Sequence, residues 1–241
     1  MGSKARLATS ILPFIQKALL VNKAYVEPFL GGANMMSEVV ADVRIGGEFN
    51  KYVAAMWTAL IGGWVPEVNY SREDYNRIKS DPDYCPHIRG YVGICCSYSG
   101  KWFGGYAGIT NTAGGLRDYQ KEAHNNVMKQ LKGLVGVEVK HCSYEDLRLD
   151  TACTIYCDPP YRGTTKYKDE FDSDKFFEWA RHMVEQGHIL LVSEYQAPTD
   201  FVELWRKDVK SSLSANGSSG GSKTSTERLF CHQSQAGLFL C

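Results

Sequence analysis

The sequence lacks several features that would assign it quickly to a class of protein. It has no excess charge, since 27 Lys and Arg residues balance 27 Asp and Glu residues. Proteins that neutralise phosphates usually carry an excess of Lys and Arg, so the neutral total weighs against a nucleic-acid partner without excluding a local basic groove. No apolar run reaches the length of a membrane span, and there is no signal-peptide pattern. We therefore expect a cytoplasmic protein with no membrane partner.

Motifs for metal and redox chemistry are also missing. The eight cysteines include no C-x-x-C pair, and the six histidines include no H-E-x-x-H motif. Several cysteines fall in apolar, strand-like stretches, which is typical of reduced thiols in a protein core. We therefore expect reduced cysteines and no bound metal ion, zinc included.

The most informative stretch is a short strand that ends in a carboxylate. Residues 154–157 predict a buried strand, and the prolines after Asp158 cannot continue it. Proline fixes its own φ near about −65° and restricts the residue before it, so Asp158, Pro159 and Pro160 form a stiff bracket with Tyr161 beside it. This arrangement can accept the hydrogens of an exocyclic amine and stack its ring. The tetrapeptide alone is equally compatible with a simple turn after a strand.

A second pattern, near the N-terminus, is typical of a nucleoside-binding turn. The strand Ala24–Glu27 precedes a tight turn at 28–32, and a helix is predicted over 33–40. The G-x-G-x-x-G pattern is absent, which argues against a dinucleotide pyrophosphate. Glu48 ends the next segment about 20 residues after the first strand, where such folds place a carboxylate on ribose hydroxyls. S-adenosylmethionine fits because it has a ribose and an adenine but no phosphate.

The remainder predicts an α/β fold. Apolar spacing predicts helices at about 7–19 with a bend or break at Pro13, and at 53–61, 116–131 and 176–184. The apolar stripe at 53–61, which includes Trp57, is assigned to core packing, and the last helix is predicted to be capped near Asp172 or Ser173. Strands are predicted at 136–141, 188–193, 228–231 and 237–241, and the Ser/Gly-rich run 211–225 predicts a flexible hairpin loop.

Residues 64–115 differ in character from their surroundings. Aromatic side chains alternate with Lys and Arg, and 99–115 contains six glycines around the tip Lys101-Trp102-Phe103. Aromatic and cationic residues together favour an inserted recognition domain that ends in a mobile loop. The alternative is a small aromatic-cored subdomain whose acidic residues cancel its charge. The flanking residues, 1–63 and 116–241, are predicted to form the catalytic cofactor-binding domain.

Two signatures, Glu27-Pro28-Phe29-Leu30-Gly31-Gly32 and Asp158-Pro159-Pro160-Tyr161, together resemble the Dam-like DNA adenine-N6 methyltransferases. The likeness is to the D12 class, especially its phage members, over nearly the whole chain. Gly2-Ser3-Lys4 is similar to the N-terminal cofactor motif, Glu48-Phe49-Asn50 to the ribose-binding acidic motif, and Ser143-Tyr144 to the position that lines the cofactor's adenine. The chain departs from the family at Glu48, where many members carry Asp, and in its divergent insertion at 64–115.

The resemblance implies a Rossmann-like methyltransferase sheet with an inserted target-recognition domain. It also implies transfer of a methyl group from S-adenosylmethionine to the N6 amino group of an adenine flipped out of double-stranded DNA. Tyr161 would stack on that base, while Asp158 and the Pro159 carbonyl would accept its amino hydrogens. The implied catalytic residues are Asp158, Pro159, Pro160 and Tyr161. The implied cofactor residues are Gly2, Ser3, Lys4, Glu27, Pro28, Phe29, Gly31, Gly32, Glu48, Phe49, Asn50, Ser143, Tyr144 and Asp158.

Lys101, Trp102, Phe103, Arg117 and Lys166 are the expected DNA contacts. The expected location is the cytoplasm of a bacterial or phage-infected host cell, as a monomer with no metal ion. Two alternatives stay open: a methyltransferase that acts on RNA or another amine, and a catalytically silent DNA-binding homologue.

Overall fold

The computed structural model describes residues 7–112, 114–160, 171–210 and 224–240. The chain forms two compact units. Unit 1 comprises the described residues of Met1–Leu12 together with Pro28–Arg148, and unit 2 comprises those of Pro13–Glu27 and Leu149–Cys241. Several predicted features lie outside the described residues, namely Gly2-Ser3-Lys4, Tyr161, Lys166 and positions 211–223 of the predicted hairpin loop.

The described ranges contain seven α-helices and nine β-strands. The helices are α1 (Ala8–Leu19), α2 (Lys51–Ile61), α3 (Arg72–Ser80), α4 (Pro86–Cys95), α5 (Tyr119–Leu131), α6 (Ser173–Glu185) and α7 (Ala236–Leu240). The strands are β1 (Ala24–Glu27), β2 (Val43–Glu48), β3 (Ile109–Thr112), β4 (Gly115–Asp118), β5 (Glu138–His141), β6 (Cys153–Cys157), β7 (Ile189–Glu194), β8 (Phe201–Lys210) and β9 (Thr224–His232).

Strand pairing confirms the predicted mixed α/β fold with a mostly parallel central sheet. Strands β1, β2, β5, β6 and β7 all take part in parallel pairs, whereas β9 runs antiparallel to both β7 and β8. None of the helices in the described ranges combines the length and the apolarity that crossing a bilayer requires.

Unit 1 contains the parallel pair β2 and β5, in which Glu48 lies opposite His141. It also contains the antiparallel hairpin of β3 and β4. Residues 116–118, predicted as the start of a helix, therefore form a strand, and α5 begins only at Tyr119 because the Asp118 side chain caps it there. Helices α2 and α4 pack so closely that a Cβ on Gly90 would lie 2.0 Å from the Tyr52 carbonyl oxygen. Glycine at position 90 therefore permits the contact between the two helix backbones.

Unit 2 contains five strands in the order β1-β6-β7-β9-β8. Every residue of β6 and β7 is buried, as expected for parallel strands covered on both faces. Helix α6 begins where the sequence predicted, because the Asp172 carboxylate accepts hydrogen bonds from the backbone N–H groups of Asp174 and Lys175. Burial of Phe176 and Phe177 on one face then anchors the helix.

Helix α1 runs without interruption through Pro13. Its predicted apolar stripe is buried at Ile11, Ile15 and Ala18, while Pro13 lies on the exposed face. The expected break at Pro13 is therefore absent.

Two predicted elements were wrong. Residues 33–40 form turns and no helix. The Ser37 N–H donates to the Ala33 carbonyl at 3.1 Å, but the next bond, from the Glu38 N–H to the Met35 carbonyl, spans only three residues, and Ala33 has a left-handed φ of 51°. Met36 and Val39 anchor the segment by burial. The predicted strand at 237–241 is instead helix α7 over its described residues. Strand β9 already pairs on both sides, with β7 and β8, so it has no edge left for another strand. Helix α7 buries Phe239, whose ring centroid lies 6.3 Å from that of Phe14.

Candidate functional site

The turn at 28–32 lies directly against β2. The Leu30 N–H donates to the Gly47 carbonyl at 2.8 Å. A Cβ on Gly47 would lie 3.2 Å from the Pro28 carbonyl oxygen, and one on Gly46 would lie 2.8 Å from the Leu30 side chain. The two glycines of β2 thus allow the turn to approach its backbone, which is a sequence signal for the contact.

Glu48 joins this turn to the end of β2. One of its carboxylate oxygens accepts the Gly31 N–H at 2.9 Å, and the other accepts the Asn50 N–H at 2.9 Å. Gly31 has a φ of 47°, a conformation that favours glycine. An ionised carboxylate has about four lone-pair sites, so these two backbone bonds leave capacity for the hydroxyls of a ribose.

The Glu48 carboxyl has a pKa above its usual value. Burial raises this pKa, while the Asn50 and Gly31 N–H groups and the nearby His141 oppose the rise. Protonation would convert one acceptor oxygen into an O–H group. The hydrogen bonds that Glu48 accepts should therefore weaken as the pH falls.

The predicted adenine-lining residues lie beside Glu48. Strand β5 ends opposite Glu48, and the Cys142 N–H donates to the Glu48 carbonyl at 3.2 Å. Ser143 then begins a 3-10 turn whose first residue, Tyr144, is buried with its ring centroid 5.3 Å from that of Phe29. Parallel pairing of β2 with β5 therefore brings together motifs that are distant in sequence, at the strand ends where α/β folds bind ligands.

The other two residues of the acidic motif differ from each other in environment. The Asn50 side chain caps α2, since Oδ1 accepts from the N–H groups of Tyr52 and Val53 at 3.0 and 3.4 Å. Phe49 is 76% exposed and leaves an apolar ring accessible beside Glu48. Asn50 thus has a structural role, and Phe49 can contribute a stacking surface.

Two residues that the sequence did not mark as functional also hold the turn. Trp57 on α2 donates its indole N–H to the Gly31 carbonyl at 2.9 Å, although its apolar stripe predicted only core packing. Gln130 on α5 donates its amide Nε2 to the Gly32 carbonyl at 2.7 Å. Neither contact has a local sequence signal.

A cavity of about 440 Å³ lies next to the turn. Gly32, Asn34, Trp57 and Gln130 contribute to its lining, with further residues from α4, α5 and the segment between α4 and β3. Its size falls within the range of about 300–1,000 Å³ that is typical of small-molecule sites.

The acidic bracket belongs to unit 2. Strand β6 ends at Cys157, and Asp158 and Pro160 are half-buried while Pro159 is buried. The strand therefore ends where the two prolines predict. Since β1 pairs in parallel with β6, Glu27 also lies at a strand's carboxyl end.

Glu27 is a buried carboxyl group, only 4% exposed. The Tyr25 hydroxyl donates to its Oε1 at 2.9 Å. Burial raises the pKa of Glu27 to about 8, the Tyr25 hydrogen bond lowers it, and the charge of Asp158 raises it further. At neutral pH Glu27 is therefore largely a neutral acid, and its predicted cofactor role stays a prediction.

The neighbouring strand β7 adds polar groups that sequence reasoning missed. Ser193 and Glu194 are buried at its end. The Ser193 hydroxyl lies 2.8 Å from the Tyr156 hydroxyl, and Glu194 accepts a hydrogen bond from the Tyr195 N–H. The carboxyl ends of β1, β6 and β7 thus carry Glu27, Asp158 and Glu194 respectively.

The predicted DNA contacts lie in unit 1, except for Lys166, which is outside the described residues. Lys101 and Trp102 are exposed. The Trp102 ring stacks on the Tyr52 ring, with the centroids 5.6 Å apart and an angle of 17° between the ring planes. Phe103 is buried beside Tyr75, with ring centroids 5.4 Å apart. On β4, Arg117 is exposed and its Nε donates to Glu122 at 2.9 Å. Their DNA-binding roles stay predictions.

Metal-ligating side chains are not clustered in the part of the chain that the structure describes. No three His, Cys, Asp or Glu residues there come together in a way that could hold a metal ion. The cysteines in the same part are free thiols. Burial raises the pKa of Cys95 to about 12, so this thiol is not an activated nucleophile.

No protein-family model and no curated protein matches the chain. Among solved structures, a candidate methylase from Haemophilus influenzae is similar, with 11% identity and a TM-score of 0.36 over 95% of this chain and 99% of that one. A candidate methyltransferase complexed with SAH has 14% identity and a TM-score of 0.35 over 95% of this chain and 52% of that one. Because both TM-scores are low, neither likeness supports a functional argument.

Proposed function

We propose that this chain is a DNA methyltransferase that transfers a methyl group from S-adenosylmethionine to the N6 amino group of adenine in double-stranded DNA. The observation that carries the proposal is the bracket Asp158-Pro159-Pro160 at the end of the fully buried strand β6. A buried strand fixes the position of this carboxylate, and the prolines restrict its backbone.

The residues around Glu48 fit the cofactor. Its remaining acceptor capacity suits a ribose diol, and the neighbouring rings of Phe29 and Tyr144 suit an adenine. Gly31 and Gly32 would let the backbone approach the ligand closely. When bound, S-adenosylmethionine supplies an electrophilic methyl group on a sulfonium.

The acidic bracket fits an aromatic amine. The lone pair of such an amine is delocalised into its ring, so acceptors that hold the amino hydrogens favour attack by the nitrogen. We assign this role to Asp158 and the Pro159 carbonyl, with Tyr161 as the stacking partner of a flipped adenine. Glu27, neutral at pH 7, does not place a second negative charge near Asp158.

The proposed DNA contacts are Lys101, Trp102, Phe103, Arg117 and Lys166. Residues 64–115 would form the recognition domain, within a cytoplasmic monomer. The exposed Lys101 and Trp102 support this assignment, because cations and rings can contact phosphates and bases.

The test is methyl transfer to unmethylated genomic DNA, read as N6-methyladenine by mass spectrometry of the digested nucleosides. We expect product from the wild type and none from Asp158→Ala. Asp150→Ala, which alters an exposed carboxylate before β6, is the matched control and should retain activity. Full activity in Asp158→Ala would remove Asp158 from the mechanism.

A second substrate class is an RNA amine. The zero net charge gives no clear DNA footprint, and it does not separate DNA from RNA because both carry phosphate charges. Competition between duplex DNA and RNA for methyl incorporation separates the two. Binding of S-adenosylhomocysteine without incorporation into either would instead indicate a catalytically silent homologue.

A further inference from the structure

Helix α5 carries a glutamine clamp in its first turn. Gln120 is only 2% exposed. Its Oε1 accepts the Tyr70 N–H at 2.7 Å, and its Nε2 donates to the Tyr70 carbonyl at 3.1 Å. One buried side chain thus holds both polar groups of a single backbone residue in the segment 64–115.

The last turn of the same helix carries a second glutamine with a different partner. Gln130 donates to the Gly32 carbonyl at 2.7 Å. At a rise of about 1.5 Å per residue, the two glutamines lie about 15 Å apart along the helix. Helix α5 therefore contacts the proposed recognition domain through one glutamine and the proposed cofactor turn through the other.

A cavity borders the second contact on one side. Glu122, Asn126 and Val127 of α5 line the same cavity of about 440 Å³ as Gly32 and Asn34. Open space thus separates part of this helix face from the turn, and the Gln130 hydrogen bond is a direct polar link across that region. Loss of the bond would leave the Gly32 carbonyl to reorient or to bind water.

We propose that α5 couples DNA binding to cofactor binding, with Gln120 and Gln130 as positioning residues at its two ends. This inference rests on the proposed function. DNA that contacts residues 64–115 would restrain Tyr70. Because Gln120 binds Tyr70 and Gln130 binds Gly32, the restraint would extend through the helix to the Gly32 carbonyl. By thermodynamic reciprocity, DNA would raise cofactor affinity by the factor by which cofactor raises DNA affinity.

The test measures S-adenosylhomocysteine binding to the full chain by calorimetry, with and without sheared unmethylated genomic DNA. In the wild type we expect DNA to tighten binding at least about fivefold, the lower end of typical couplings. Gln130→Met, similar in size but without the donor, should weaken binding about tenfold without DNA and reduce the DNA effect to less than twofold. Gln120→Met should also remove the DNA effect but leave binding without DNA within about twofold. The exposed Asn125→Ala on the same helix is the control.

A second variant separates hydrogen bonding from packing and is read without DNA. Gln130→Glu keeps the size, but an ionised carboxylate cannot donate to the Gly32 carbonyl, whereas a protonated one can. Its affinity for S-adenosylhomocysteine should therefore approach the wild-type value as the pH is lowered from 8 to 5. An affinity equal to that of the wild type at pH 8, where the carboxylate is ionised, would mean that Gln130 only fills space.

The outcomes are distinguishable from failure of the proposed function. If the wild type binds S-adenosylhomocysteine and methylates DNA, yet DNA leaves that affinity unchanged, the coupling is overturned and the methyltransferase proposal stands. An unchanged coupling in both folded methionine variants would also overturn it. If the wild type does not bind S-adenosylhomocysteine, the proposed function fails and this inference fails with it.

Discussion

The buried carboxyl of Glu27 makes the stability of the protein depend on pH in a predictable direction. Its pKa rises from 4.5 to about 8 on folding, so the native state binds this proton more tightly than the unfolded state does. The stabilising contribution is therefore complete below about pH 4.5 and is lost as the pH rises to about 8. Each pH unit within this window corresponds to about 1.4 kcal/mol, which gives an upper limit of about 5 kcal/mol in total.

Glu27→Gln should remove this dependence, because the amide does not titrate and nearly preserves the shape. We would measure urea unfolding of both proteins at pH 5, 6, 7 and 8 and subtract the free energies of unfolding, which cancels the titrating groups they share. The stability of the wild type relative to the variant should fall steadily across the window. Glu178→Gln makes the same exchange at an exposed position in the same unit, so it is the control and should leave the pH dependence of stability nearly unchanged.

Tyr25→Phe provides a second check on the physical cause. The Tyr25 hydroxyl lowers the pKa of Glu27, so its removal should raise that pKa and extend the falling part of the stability curve to higher pH. A constant difference between wild type and Glu27→Gln from pH 5 to 8 would refute the reasoning. It would mean that Glu27 ionises alike in the folded and unfolded chains.

Three further predictions concern unit 1. Gly90→Ala should destabilise the protein by about 3 kcal/mol, since the added Cβ would overlap the Tyr52 carbonyl; an unchanged urea midpoint would contradict the close packing of α2 and α4. Asn50→Ala should cost about 1 kcal/mol by loss of the helix cap, whereas Asn50→Asp should keep most of it in the same assay. Glu48→Gln should weaken S-adenosylhomocysteine binding about tenfold, through loss of a charged acceptor; equal affinity in calorimetry, from a folded variant, would remove Glu48 from the ribose site.

Strong local patterns predicted several of the elements that the structure contains. The apolar stripe of α2, the Asp172 cap of α6 and the proline stop after β6 each depend on neighbouring residues. Strand β8 was not predicted, because it is an edge strand with several charged residues and its pairing with β9 is interrupted at Glu203 and Trp205. Its register is set by a partner strand elsewhere in the chain.

In the candidate site, too, residues marked by a local sequence pattern were predicted, whereas residues whose contacts are distant in sequence were not. The glycine turn, Glu48 and Tyr144 were predicted, because each lies at the end of a strand that its own sequence indicates. Trp57 and Gln130 were not, because their hydrogen bonds to the turn span 26 and 98 residues. A hydrogen bond from a side chain to a distant backbone carbonyl produces no periodic pattern in the sequence.

These distant contacts explain how a turn with an unusual backbone conformation stays fixed. Its Gly31 N–H is paired with Glu48, its Gly31 carbonyl with Trp57 and its Gly32 carbonyl with Gln130. Poorly solvated backbone groups left unpaired cost about 1–3 kcal/mol each, so three supports from β2, α2 and α5 strongly favour one conformation. A turn held in this way loses little further entropy when a ligand binds. Substitutions at Trp57 or Gln130 should therefore lower cofactor affinity even where the side chain does not touch the cofactor.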